Sequence, residues 1–332
     1  MNSLIKIFLV FVILSNIHYA QDQCTFTGTP EKSLSYPLFG STGTLKVLVI
    51  LCKFTDDNYD DPPRTNLWPS TRNSMPIWGP SLVSTTIQTD YPDPSISGYF
   101  QDMSLNQLHI IGDVKFYQPI HEQAYYFISS GRGLGYLTEE ILMGLNSQIN
   151  FAEYDNWDPK DIDQDGKKNE PDGQVDFIAI CFRDANFAGL DGSSYSGIAG
   201  ITGYRQVFGN GTSQLILDNK VISAKNLLSD LGSGTCQRGI LNLHEGLGTI
   251  CHEFGHYMFG TTHYAGVGFH GLMDGEGTGV MNSFERIRLN WLQAIVVNNT
   301  ESDVMIPDAI STGLVRRMNI PNSTEYFLID NH

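Results

Sequence analysis

Two uninterrupted apolar runs constrain this chain more than any other feature. KVLVILCKF, from Lys46 to Phe54, and VDFIAICF, from Val175 to Phe182, are dominated by aliphatic and aromatic residues without regular polar alternation. A strand that is apolar at nearly every position has no face to offer water, so both read as buried strands. Between and beyond them the pattern changes repeatedly. SISGYFQDMS and YLTEEILMGLNSQI (Tyr136 to Ile149) have helical spacing. QLHIIGDVKFYQ reads as a strand, or as a hairpin turning at Gly112-Asp113. LILDNKVIS has the form of a hairpin with Asn219 at its turn, SFERIRLNWL that of a helix, and DVMIPD, LVRRMNI and EYFLID are alternating runs. Residues 56–80, rich in Pro, Asn and Asp, form a long loop, and residues 184–215, rich in Gly and Ser, look irregular. Strands mixed with helices along the whole length indicate an α+β (mixed α/β) fold, and no linker divides residues 45–332.

The net charge of −16 argues against nucleic acid or an anionic membrane as a partner. The N-terminal stretch MNSLIKIFLVFVILSNIHYA places one lysine, Lys6, before an apolar run from Ile7 to Leu14 and a small residue at Ala20. This is the form of a secretory signal peptide over residues 1–20. The run is far short of the roughly 20 apolar residues that span a bilayer, so the expectation is a secreted, extracellular protein with no stable membrane insertion. Residues 21–44 form a short polar segment before the domain. Five cysteines, Cys24, Cys52, Cys181, Cys236 and Cys251, are irregularly spaced with no C-x-x-C, which argues against a cysteine metal site. Cys52 and Cys181 lie in the apolar runs and read as core; Cys24 is expected to pair with Cys236 or another cysteine.

The chemistry is concentrated in ICHEFGHYMFGTTH, Ile250 to His263. At ~100° per residue, Leu247, Ile250, Cys251, Phe254 and Met258 form one core-facing stripe, and His252 and His256 project together from the opposite side. Two histidines one helical turn apart can close on one zinc ion. Glu253, beside the first, is placed to take a proton from a zinc-activated water. Gly255 inside the helix costs about 1 kcal/mol relative to Ala, which points to close packing or to space for a ligand. Gly260 is suited to end the helix, and His263 follows just beyond. The H-E-x-x-H-x-x-G-x-x-H pattern has two residues before its glycine. Here three separate His256 from Gly260, and the G-x-x-H spacing is kept. His263 is the first candidate for third ligand, His270 the next and Glu276 a weaker one; Tyr264 is a candidate oxyanion donor.

HEFGHYMFGTTH followed by HGLMDGEGTGVMNSFERIRLNWL resembles the immune-inhibitor-A type of secreted zinc metallopeptidase, which is itself metzincin-like. The likeness is carried by Gly271-Leu272-Met273, Glu285-Arg286 and Leu289-Asn290-Trp291, and weaker likeness extends over most of residues 45–332. It implies a metzincin-like catalytic domain with a twisted mixed sheet and an active-site helix. It also implies that Met273 is the methionine of a turn beneath the zinc. Without the resemblance, Met273 reads as core and the Glu285-Arg286 pair as a solvated helix face.

DIDQDGKKNEPD supplies Asp161, Asp163, Asp165, Gly166 and Asp172, a D-x-D-x-D-G pattern with an acid at the twelfth position. Alternating carboxylates suit calcium, a hard cation that takes 6–8 oxygens. Pro159, Pro171 and the following strand argue against an EF-hand, so a structural calcium loop within the domain is expected. The combined reading is a zinc endopeptidase acting on protein or peptide substrates with a structural calcium. The alternative is a calcium-stabilised binding or adhesion protein whose zinc site is vestigial or structural. Glu253 favours the enzyme, because a structural site has no use for a base.

Overall fold

The computed structural model describes residues 41–331 except 92–93, 160, 195, 202–213, 225–231, 261–262, 264–270, 275–278, 298–304 and 324. In chain order the elements are β1 (Gly43–Cys52), α1 (Ile96–Met103), β2 (Leu108–Tyr117), α2 (Leu134–Leu145), β3 (Ile178–Phe182), α3 (Phe187–Leu190), β4 (Gly197–Ile198), β5 (Gln214–Leu217), β6 (Lys220–Ser223), β7 (Gly234–Gln237), α4 (Leu243–Phe259), α5 (Ser283–Arg288), β8 (Ala294–Val296), α6 (Ala309–Thr312), β9 (Val315–Asn319) and β10 (Tyr326–Ile329).

The main sheet runs β2-β1-β3-β7-β4, with the first four strands parallel and β4 antiparallel at the edge. Both apolar runs lie inside it and are covered on both faces. Leu45, Val47, Val49 and Leu51 of β1 enter one core, while Leu48, Ile50 and Cys52 enter the other. β3 divides in the same way, Ala179 and Cys181 against Ile178, Ile180 and Phe182. Side chains alternate across a strand, so a central strand between two helical layers must be apolar on both parities. The crossover through α1 runs from β1 out to β2, and the one through α2 returns past β1 to β3. Crossovers of one hand in opposite directions put their helices on opposite faces. Accordingly α1 packs with α4 in the first core and α2 fills the second.

QLHIIGDVKFYQ is one strand and does not turn at Gly112: β2 pairs with β1 without a break from Leu108 to Tyr117. Glycine is present for a different reason. A Cβ at 112 would lie 1.9 Å from the Val47 carbonyl oxygen, so the position marks a close backbone approach. The Asn219 hairpin forms as read, with Asp218 and Asn219 at φ 50° and 60°. LVRRMNI and EYFLID become β9 and β10. In DVMIPD no described residue enters a strand; Asp308 instead caps α6, accepting from the Ile310 and Ser311 amides. The loop over residues 56–80 is anchored by the fully buried Arg183, whose guanidinium contacts Asp57 and donates to Asp60 Oδ1 at 2.7 Å, the Tyr59 carbonyl at 2.6 Å and the Trp68 carbonyl at 2.9 Å.

Cys52, Cys181, Cys236 and Cys251 are buried and form no disulfide with one another; Cys24, the expected partner of Cys236 or another cysteine, lies outside the described residues. No helix among the described residues is long and apolar enough to cross a membrane. Gly112→Ala should lower stability by about 3 kcal/mol, because strand β2 must move off β1 to admit the methyl. Urea unfolding checks this, and a loss below about 1 kcal/mol would contradict the close approach.

Candidate metal and catalytic site

Helix α4 follows directly on β7 and lies against the sheet through its aromatic stripe. Phe254 packs edge-on against Phe100 of α1 and Phe177 beside β3, with ring centroids 4.9 and 4.7 Å apart. This holds the helix in rotation as well as position. The helix ends at Gly260, which takes φ 90° and donates its amide to the His256 carbonyl at 2.8 Å. A left-handed glycine is the expected exit, because it turns the chain without a Cβ clash.

Beyond Gly260, His263 meets His252 and His256. Their candidate ligand atoms all lie within 4.8 Å of one another. The His263 ring stacks on that of His252 with the two Nε2 atoms 2.9 Å apart. The extra residue before Gly260 therefore does not keep His263 from the site. His252 Nδ1 lies 2.6 Å from the Leu272 carbonyl, and His256 Nδ1 lies 2.9 Å from the Gly260 carbonyl. A carbonyl can only accept, so each Nδ1 carries the proton and each Nε2 presents a lone pair. All three imidazoles are held neutral. Burial lowers His252, lowers His256 further with help from its two histidine neighbours, and takes His263 down to about 4.

Glu253 points away from the stripe into a dry recess and is only 5% exposed. Burial pushes its carboxyl up to about 8, and Oε2 has no hydrogen-bond partner among the described residues. An unpartnered buried carboxylate oxygen is costly, and its presence signals a role. Gly197 of β4 makes the recess: a Cβ there would fall 1.8 Å from Glu253 Oε1. Nothing in the sequence marks Gly197, which lies in a stretch of many glycines. Neutral imidazole nitrogens, a nearby orphaned carboxylate and three-ligand stoichiometry suit zinc with one position open.

The helix is buried on its histidine side as well. His256 is as deeply covered as the apolar stripe, so opposition to the stripe did not mean exposure. The Leu272-Met273 turn lies against this side of the helix at His252 and Gly255. A Cβ on Gly255 would lie 2.3 Å from Met273 Sδ, which selects close packing as the reason for that glycine. Glu285 and Arg286 are both buried, not a solvated face. Tyr264, His270 and Glu276 lie outside the described residues.

In the acidic loop, Asp161, Asp163 and Asp165 carboxylates gather within 4.8 Å. Asp172 does not join that cluster: its Oδ1 accepts from the Gln174 amide at 2.7 Å. The twelve-residue count presumed a loop returning on itself, whereas Asp172 leads out toward β3. Gly166 takes φ 83° and donates its amide to Asp161 Oδ1 at 3.0 Å, giving the sharp turn the pattern called for.

A family model described as the immune inhibitor A peptidase M6 catalytic domain matches residues 34–276, which include the three histidines, Glu253 and the acidic loop. No curated protein matches the chain.

The recess has a consequence for stability in the metal-free chain. Glu253 is raised from an ordinary 4.5 to about 8 in the folded state. Its contribution is therefore fully present below the unfolded value and is lost as pH rises toward the folded one. Metal-free Glu253→Gln should lose less stability than the wild type between pH 4.5 and 8. Urea unfolding across that range checks it, and identical pH profiles would contradict it.

Proposed function

The chain belongs to the immune inhibitor A peptidase M6 family, and from that premise we propose that this metallopeptidase domain is a secreted zinc endopeptidase. The observation that carries the reading is the convergence of His252, His256 and His263 beside the unpartnered carboxylate of Glu253. The three histidines would hold the ion through unprotonated nitrogens, each of the two on α4 oriented by its own carbonyl. Zinc, when bound, supplies a Lewis acid and lowers the pKa of water toward neutrality.

The remaining steps belong to the chain. Glu253 takes one proton from the attacking water, whose oxygen forms the new bond to the scissile carbonyl carbon. The C–N bond then breaks, and Glu253 gives the proton to the departing amine. Burial suits the carboxyl to both roles, since a carboxylate raised from its ordinary value is a better base and its conjugate acid still releases a proton near neutrality. A nearby cation favours the ionised form and readies it for the first step. The reading includes export through the signal peptide over residues 1–20 and protein or peptide substrates.

The Asp161, Asp163 and Asp165 cluster is proposed as a structural calcium site. Three carboxylates fall short of the 6–8 oxygens calcium takes, so carbonyls and water complete the set. Lys167, which contacts Asp165, must swing aside.

Cleavage of an unfolded protein should fall by at least about 10²-fold in Glu253→Ala while zinc is retained. If the folded, zinc-loaded wild type cleaves nothing, the endopeptidase reading is wrong. Calcium should raise the melting temperature of the wild type and leave the Asp163→Asn/Asp165→Asn double variant unchanged; an equal response in both would remove the calcium assignment.

A further inference from the structure

We propose that Glu285 is a positioning residue for the metal site, acting on His252 through the Leu272-Met273 turn. The inference rests on the zinc reading of the three histidines.

Glu285 is 1% exposed and its carboxylate collects backbone N–H groups from Leu272, Met273 and Asn282. Oε2 accepts from Leu272 at 3.0 Å and from Asn282 at 2.9 Å, and Oε1 accepts from Met273 at 2.6 Å. Only the Asn282 bond belongs to the capping box of α5. A cap at the end of a surface helix needs no burial of its carboxylate. The other two bonds reach across to a separate segment and fix two successive amides of the turn. The carbonyl of Leu272 then faces the other way and receives the His252 Nδ1 proton at 2.6 Å. One carboxylate thus clamps the N–H side of the peptide segment whose C=O side sets the tautomer and ring direction of a metal ligand.

The clamp is mounted on fixed parts. Arg286, next in the helix, donates Nε to the Met103 carbonyl at 2.7 Å and Nη1 to the Ala309 carbonyl at 2.9 Å, tying α5 to the end of α1 and to α6. On the other side the turn is pressed on α4, where Gly255 leaves room for Met273. The turn has little freedom to drift while both contacts hold. Loss of the Glu285 charge removes the acceptor for at least one of the two amides and lets the Leu272 carbonyl move off His252.

The test compares Glu285→Gln with Ser95→Ala. Ser95 caps α1, accepting from the Gly98 amide at 3.0 Å, and contacts none of these groups; its loss supplies a stability control. Zinc affinity is read by competition with a chromophoric chelator, and His252 Nδ1–H is read by proton–nitrogen NMR of metal-free protein labelled in histidine. Glu285→Gln should weaken zinc binding on the order of 10–100-fold and lose or shift the slowly exchanging Nδ1–H signal, while Ser95→Ala changes neither. Wild-type zinc affinity and an unmoved signal in folded Glu285→Gln would overturn the proposal, as would equal losses in Ser95→Ala. If the wild type itself binds no zinc, the zinc reading fails, and the NMR comparison alone still decides whether Glu285 holds His252.

Discussion

The site depends on one close contact, that of helix α4 with the Leu272-Met273 turn. The helix can approach the turn because position 255 carries no side chain, with Met273 Sδ occupying the space a Cβ would take. Closeness there is what puts the Leu272 carbonyl within hydrogen-bond reach of the His252 ring. A histidine on an isolated helix would rotate about two side-chain torsions and choose freely between tautomers. Here a glycine, a methionine and a carbonyl remove those freedoms before any ion arrives, and the cost of ordering the ligands is met at folding.

The opposite wall of the site follows the same rule. Gly197 in the short edge strand β4 lies so near Glu253 that any side chain would collide with the carboxylate. The strand excludes water from the carboxyl, and the carboxyl, lacking a partner for Oε2, is raised far from its ordinary value. A helix that buries an acid with an unpartnered oxygen and a neutral histidine, Glu253 and His256, is a poor choice for stability alone. The fold tolerates it because α4 is held on its other side by aromatic packing against Phe100 and Phe177 and by a sheet that is apolar on both faces.

Much of the architecture was legible in the sequence where a local pattern is long or chemically marked. The apolar runs became β1 and β3, and Asn219 made its hairpin because a left-handed turn tolerates it. Helices α1, α2 and α5 fell where their spacing put them, with α2 ending at Leu145 ahead of Ile149. β7 and β4 were illegible, because strands of four and two residues carry too little alternation to show a period. Gly112 misled because glycine serves turns and close approaches alike, and only the neighbouring strand distinguishes them.

By itself the sequence determined the helix, the one-turn spacing of His252 and His256, the carboxylate of Glu253 beside the first of them, and the glycine suited to end the helix. These are properties of a 3.6-residue helix and need no partner. Tertiary structure decided that His263 joins His252 and His256, why Gly255 and Gly197 are glycines, and that Glu285 lies buried against the turn. It also separated Asp172 from the other three aspartates. The two glycines and Glu285 turn on which distant segments touch. Contact between distant segments is set by the packing of the whole sheet and its helices, which no local period encodes.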